Sequence, residues 1–297
     1  MAALPLLGAL LCAATLDAQT AHDRPAAIVV AHGAEAEWND RVREIAALAE
    51  TGSPVEVAFL MGPEAEARPF QDVAAELVAR GASDVVVVPL FISSHSGHYD
   101  QLRWLAGEID SLSGYMAHHL AMAGITRPAD PARIRLASAL DDAPELADVL
   151  VDRALTLADS PADQALFLIG HGPNSAEDHA AWMANLRPIA ERVGREAGFR
   201  DVKVGLVRDD APDAVRAEAV SEIREVIALQ RALTGRPVVV VPVLVSEGKV
   251  SRETIPADLE GLDVVYSGEP ILPHPALARW IARRVSDPGR EVANAIP

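Results

Sequence analysis

The sequence predicts an α/β protein made of two duplicated halves, each a mostly parallel sheet flanked by helices. Two observations lead to that expectation. Short apolar runs bounded by Gly, Pro or Asp alternate with longer stretches of helical period, the pattern of buried parallel strands covered by helices. Three of these runs also recur in the same order: AAIVVAHG returns as ALFLIGHG, PVEVAFLMG as DVKVGLVRD, and DVVVVPLFISS as PVVVVPVLVSE. The partners keep similar offsets, 139 residues from His32 to His171 and 153 from Pro89 to Pro242, far too long for a solenoid repeat.

In the first half, 26–158, AAIVVAHG is the first strand, and a helix near 35–50 follows with Trp38, Val42, Ile45, Leu48 and Ala49 on one face. PVEVAFLMG is the second strand, and a helix around 69–80 then stops at Gly81. DVVVVPLFIS is apolar from Val85 to Ile92, as expected of a strand buried on both faces. The stretch 99–132 has no clear period; RIRLASAL supplies a fourth strand, and PELADVLVDRALTLA a helix that ends the half. ADSPAD, 158–163, reads as a linker. The second half, 163–287, is expected to be closed by a final helix, PALARWIARRV, and residues after Ser286 are expected to fray.

A chain of 297 residues, half of them apolar, can bury a sizeable core. Its formal charge of -17 is spread along the chain, which argues against nucleic acid or an anionic membrane surface as partner. Residues 1–25 hold an apolar run from Ala2 to Leu16 and read as a leader for export to the periplasm, with no stable membrane insertion after its removal. A leader that does not function would leave the chain in the cytoplasm. Cys12, the single cysteine, lies inside that segment, so thiolate metal sites, disulfides and cysteine nucleophiles drop out of consideration. No G-x-S-x-G elbow or P-loop occurs, and no G-x-G-x-x-G follows the first strand, so no nucleotide cofactor is expected. The sequence sets no oligomeric state.

Ligands of parallel α/β sheets bind beyond the carboxyl ends of the strands. His32 ends the first strand, His171 ends its copy, and His95 and His98 follow the third strand. Strands one and three are usually neighbours, so His32 is expected to meet His95 or His98. Neutral imidazoles without thiolate suit Co, Ni, Fe or Zn better than Ca or Mg. The second copy of the VVVVP strand runs into SEGKVS; that half keeps His171 but is expected to have given up the site. Asn174 and Ser175 can cap the helix that follows His171, with Glu177 and Asp178 in its first turn. The segment 107–124, GEIDSLSGYMAHHLAMAG, carries His118 and His119 and has two readings, a mobile flap over the site or a surface helix.

AIVVAHGA, PVEVAFL, ARGASDVVVVPLFIS, LIGHGPN and ILPHPALARWIA, in this order and spacing, resemble the sirohydrochlorin cobaltochelatase family, class II tetrapyrrole chelatases distantly related to ferrochelatase. The resemblance covers nearly the whole chain after the leader. It implies two flavodoxin-like halves with a cleft between them, and ATP-independent insertion of a divalent metal into sirohydrochlorin or a similar tetrapyrrole. Cobalt is the first candidate, with nickel and iron as alternatives. His32 matches the family's histidine after strand one, and His98, behind Gly97, best fits the second, with His95 the displaced alternative. The resemblance thus implies that His32 and His98 bind metal and take protons. The Glu that the family often carries after strand two is Met61 here, with Glu64 the nearest acid, and Gly248 and Lys249 replace the metal-binding histidine of the second half. Arg68, Arg103 and Arg208 are candidates to meet the carboxylates of the ring. The rival expectation is an exported, non-catalytic metal- or tetrapyrrole-binding protein on the same fold.

Overall fold

The computed structural model describes residues 25–288, so the leader expected over 1–25 lies, but for Pro25, outside the described residues. The first half runs β1 (Ala26–Ala31), α1 (Ala36–Ala47), β2 (Val55–Phe59), α2 (Pro63–Ala67), α3 (Phe70–Ala79), β3 (Val85–Pro89), α4 (Gly97–Leu105), α5 (Gly114–Met122), β4 (Ile134–Leu136) and α6 (Pro144–Leu157). The second runs β5 (Ala165–Gly170), α7 (Ala176–Ala197), β6 (Asp201–Leu206), α8 (Asp213–Thr234), β7 (Val238–Val243), α9 (Ile255–Asp258), β8 (Val264–Tyr266) and α10 (Pro275–Ser286). The strand orders β2-β1-β3-β4 and β6-β5-β7-β8 are the same, and every pairing is parallel. The inner strands β1, β3, β5 and β7 are buried along their whole length, which is why they read as unbroken apolar runs.

Several local expectations are corrected. Of RIRLASAL only Ile134–Leu136 forms β4; Ala137 still donates its N–H to the Val87 carbonyl at 2.9 Å, after which the chain bends to bond Phe91 and Ile92. The second half has a fourth strand of its own, β8, three half-buried residues at a sheet edge. The unplaced stretch 99–132 holds most of α4 and all of α5. Helix α1 ends at Ala47, which leaves Leu48 exposed rather than on the apolar face. Among the described residues no helix is long and apolar enough to cross a membrane.

The largest correction concerns the terminal helices. α10 does not close the second sheet; it packs on β1 and β3 of the first sheet, beside α1. α6 correspondingly leaves the first half to pack on β7 and beside α7. The two exchanged helices meet each other at the centre of the molecule, where Arg283 of α10 donates two hydrogen bonds to Glu145 of α6, at 2.8 and 2.7 Å. Arg153 of α6 reaches the carbonyls of Pro270 and Pro273, and His274 Nε2 lies 3.0 Å from Asp152. The apolar stripe of α10, with Leu277, Trp280 and Ile281 fully buried, thereby joins one continuous core with Val29 and Val87 of the first sheet and with Leu166 and Val239 of the second. Helical periodicity marks these residues as buried but carries no information about which sheet buries them.

Because this core is shared, both halves are expected to unfold together. Trp280→Ala should cost about 3–5 kcal/mol of stability, read as a lower urea midpoint by circular dichroism. A single transition that stays single in the variant is the expected result.

Candidate metal and proton-handling site

The loops beyond the carboxyl ends of β1, β3, β5 and β6 carry the polar groups of interest. His32 follows β1 and is held by an Nδ1–H bond to the carbonyl of Gly33 at 3.2 Å; since a carbonyl only accepts, Nε2 is the nitrogen left with a lone pair. Gly33 has φ 93°, and a Cβ there would fall 2.4 Å from the Met61 carbonyl oxygen, so only glycine lets the loops after β1 and β2 pass this closely. His171 repeats the device with an Nδ1–H bond of 2.6 Å to the carbonyl of Gly172, itself at φ 82°.

His98 sits in the first turn of α4. The Ser96 hydroxyl caps that helix by accepting from the Tyr99 N–H, and Asp141 anchors the preceding loop by accepting from both the N–H and the hydroxyl of Ser94, each at 2.7 Å. The His98 ring meets the His32 ring edge-on, with centroids 4.4 Å apart. Its tautomer follows from geometry. Gln101, fully buried, donates from Nε2 to the Met116 carbonyl at 2.9 Å, which turns its Oε1 toward His98 Nδ1 at 2.8 Å. Nδ1 therefore carries the proton, and Nε2 is again free. His95 lies outside this pair, exposed, with its carbonyl accepting from Trp182 Nε1 of α7 at 2.6 Å.

A third imidazole joins them from α5. The His119 ring lies nearly parallel to that of His98 at 6.3 Å and tilted against Tyr115 at 4.2 Å, and its Nδ1 is buried without a hydrogen-bond partner. His118, next to it, is exposed. The segment 107–124 thus contributes one histidine to the site and one to the surface. The sequence offered no way to rank the two, because adjacent helical positions look alike until the helix is placed.

The second half has kept more than expected. His171 Nε2 lies 3.4 Å from Asp209 Oδ1 and 3.2 Å from Asp210 Oδ2, and the ligand atoms of these three residues all fall within 4.8 Å of one another, near enough to hold one metal ion. The two acids stand in the loop after β6, at the place where the first half has Gly62 and Pro63 after β2. Sequence reasoning passed over them because two more acids in an acidic chain draw no notice. Their register against the HG turn was the available signal.

Electrostatics separate the two halves. Burial, reinforced for His98 by the neighbouring His32, lowers both first-half imidazoles and brings His98 to about 4. Burial would lower His171 as well, but the hydrogen bond to Asp210 and the charge of Asp209 outweigh it and raise the group to about 9. Asp210 is lowered mainly by its bond to His171, whereas Asp209 is raised by burial. The strand ends therefore carry neutral imidazoles in the first half and a cationic imidazole beside carboxylates in the second.

The remaining candidates lie elsewhere. Glu64 is tied to Asn39 and Arg43, Arg68 to Glu56 and Glu76, and Arg103 to Asp100 and Glu108. Arg208 lies at the edge of the site, where its side chain donates to the carbonyls of Pro173 and Asn174 and its N–H to that of His171. Ser175 caps α7 as expected, accepting from the Asp178 N–H at 3.0 Å.

Comparison with known proteins gives a consistent result. The CbiX family model matches the chain twice, over residues 26–157 and 165–288. No curated protein matches it. Among solved structures, SirB from Bacillus subtilis with Fe3+ superposes with a TM-score of 0.62 at 17% identity, covering 89% of this chain and 95% of that one. The sirohydrochlorin chelatase SirB from Bacillus subtilis subspecies spizizenii, in complex with cobalt, gives 0.56 at 17%, with 88% and 95% covered. The CbiX described as the terminal enzyme for biosynthesis of siroheme in denitrifying bacteria gives 0.53 at 17%, with 88% and 98% covered.

Imidazole nitrogen NMR on chelator-treated protein is expected to find His98 as the neutral Nδ1–H tautomer with a pKa near 4, and Gln101→Leu to shift it toward mixed tautomers while the fold persists. His171 should remain protonated up to about 9. Its folded pKa exceeds the ordinary 6.5, so the stability it contributes is complete below 6.5 and is lost as pH rises through about 9, visible as a declining urea midpoint.

Proposed function

The chain belongs to the CbiX family, and from that membership and the paired strand-end histidines we propose that it inserts a divalent metal, cobalt first among the candidates, into sirohydrochlorin or a similar tetrapyrrole without ATP. The observation that carries this reading is the His32–His98 pair, two half-buried neutral imidazoles with ring centroids 4.4 Å apart at the carboxyl edge of a chelatase-type sheet.

Metal insertion asks for groups with opposed demands. The ion must be taken from water and then released to the ring, and two pyrrole N–H protons must leave as it enters. Imidazole suits both demands: it binds Co²⁺, Ni²⁺ or Fe²⁺ without the tenacity of a thiolate, and a free Nε2 of lowered pKa passes a pyrrole proton on to water rather than keeping it. Lowered pKa values keep protons from competing with the metal at neutral pH. Tyr115, exposed and tilted against the His119 ring at 4.2 Å, adds apolar surface on which a flat macrocycle can lie.

Incubation of the purified protein with sirohydrochlorin and Co²⁺ is expected to accelerate the absorbance change of metallation. His32→Ala and His98→Ala should each slow the reaction at least ~100-fold, with His95→Ala close to the parent. Tight metal or tetrapyrrole binding with no acceleration over the spontaneous rate would overturn the enzyme in favour of a carrier.

A further inference from the structure

The loop that begins α4 is tied down by a device that its copy in the second half lacks. In both halves the chain after the fourth strand runs back beside the loop after the third. Leu140 and Asp141 donate their N–H groups to the carbonyls of Phe91 and Ile92, at 3.0 and 2.9 Å, as Ile271 and Leu272 do to those of Leu244 and Val245, at 2.9 and 3.0 Å. This register makes Leu272 the counterpart of Asp141, and equal spacing from the VVVVP strand makes Glu247 the counterpart of Ser94. In the first half the Asp141 carboxylate accepts from the N–H and the hydroxyl of Ser94, whose Oγ accepts in turn from the Ala139 N–H at 2.9 Å. In the second half Leu272 is buried and apolar, and the loop closes on itself through Ser251, whose hydroxyl accepts from the Gly248 N–H at 3.1 Å.

Asp141 also joins the two halves. Its Oδ1 accepts from Asn185 Nδ2 of α7 at 3.1 Å, and one turn earlier on that helix Trp182 Nε1 donates to the His95 carbonyl at 2.6 Å. Residues three apart lie on one helix face, so a single face of α7 grips both Asp141 and the loop that leads into His98. Asp141 makes these bonds from φ 46°, a left-handed backbone that only Arg208 shares among the described non-glycine residues. Glycine would take that conformation with no side chain to accommodate, and the second half builds the same register around a leucine. The carboxylate is therefore an addition to the turn rather than a requirement of the fold, and it stands in the half where His98 meets His32.

We propose that Asp141 is a positioning residue for the imidazole pair: through Ser94 it fixes the start of α4, and through Asn185 it lets α7 of the second half set where His98 stands against His32. This rests on the reading of His32 and His98 as the metal-handling residues. It extends that reading by giving the second half a part in the chemistry of the first without a group of its own on the ion.

Nuclear Overhauser effects between the His32 and His98 imidazole protons, in chelator-treated full-length protein, read this placement with neither metal nor tetrapyrrole present. Asp141→Gly, which suits the left-handed backbone, is expected to weaken that contact. It should also lower Co²⁺ affinity and the rate of sirohydrochlorin metallation by roughly 10-fold, the low end of what losing an outer partner costs a metal site. Asp141→Asn, which keeps Oδ1 as an acceptor for Ser94 and Asn185, should recover most of the loss. Asn185→Ala should cost less than Asp141→Gly and add nothing in the Asp141→Gly background, because it acts only through that carboxylate. Circular dichroism reports which variants are folded. An unchanged ring contact in folded Asp141→Gly, an Asp141→Asn no better than the glycine variant, or an Asn185→Ala loss of equal size in both backgrounds would overturn the proposal. If Asp141→Gly does not fold, Asn185→Ala decides alone: a weakened ring contact supports the proposal and an unchanged one overturns it. A ring contact that depends on Asp141 in protein that metallates nothing would refute only the chelatase reading. Metallation at the parent rate in folded Asp141→Gly would refute only the positioning role.

Discussion

A four-stranded parallel sheet has two apolar faces, and the covering of the inner faces is the constraint on which the rest of the molecule depends. α3 covers one face of the first sheet and α8 one face of the second, each from its own half. The opposite face of each sheet carries one native helix, α1 or α7, and one helix sent across from the other half, α10 or α6. The exchange makes each half incomplete by itself, and it puts Glu145 and Arg283 on facing helices, where the buried Glu145 carboxylate accepts two hydrogen bonds from a partly exposed Arg283. The carboxyl edges of the two sheets therefore need no separate hinge or clamp to hold them in place, because a shared core already fixes one sheet against the other.

Within that frame the site is assembled from backbone devices that are insensitive to chemistry. The HG turn orients His32 and His171 alike, through the same bond from Nδ1 to the next carbonyl. His98 is set by a longer chain of contacts, from the Met116 carbonyl through the buried Gln101 amide to its own Nδ1. That chain couples α5 to the site: the helix carrying His119 also fixes which nitrogen of His98 is free. Gly97 belongs to the same arrangement, since a Cβ there would press on Met116 Sδ at 2.6 Å.

Most of the fold was legible in the sequence because burial on both faces leaves little choice of residue. DVVVVP and PVVVVP are recognisable as inner strands for that reason, and their recurrence gave the duplication. β8 went unseen because three edge residues with one face wet have no such signature. The destination of α10 was illegible for a deeper reason: amphipathicity states that Trp280 and Ile281 are buried, and either sheet would satisfy it. At the site, position on a strand end pointed to His32, His98 and His171. It could not separate His95 from His98, which differ by the three residues that begin α4. His119 and Asp209–Asp210 were hidden, the first because its helix was unplaced and the second because acids are common in this chain.

The two HG turns finally show where functional difference resides in a duplicated fold. Their backbones agree, yet one imidazole is held neutral and the other cationic. The HG turn is therefore not the cause. The first ring faces other imidazoles across a desolvated gap, so its charged form is disfavoured; the second faces Asp209 and Asp210, and its charged form is favoured despite similar burial. The loop after strand two decides the matter, Gly62 and Pro63 in one copy against Asp209 and Asp210 in the other. These positions contribute little to the core, so duplication left them free to diverge while the strands, turns and exchanged helices stayed constrained. A cleft with one neutral and one charged wall follows from a handful of loop residues, and it suits a reaction in which a doubly charged ion enters as two protons leave.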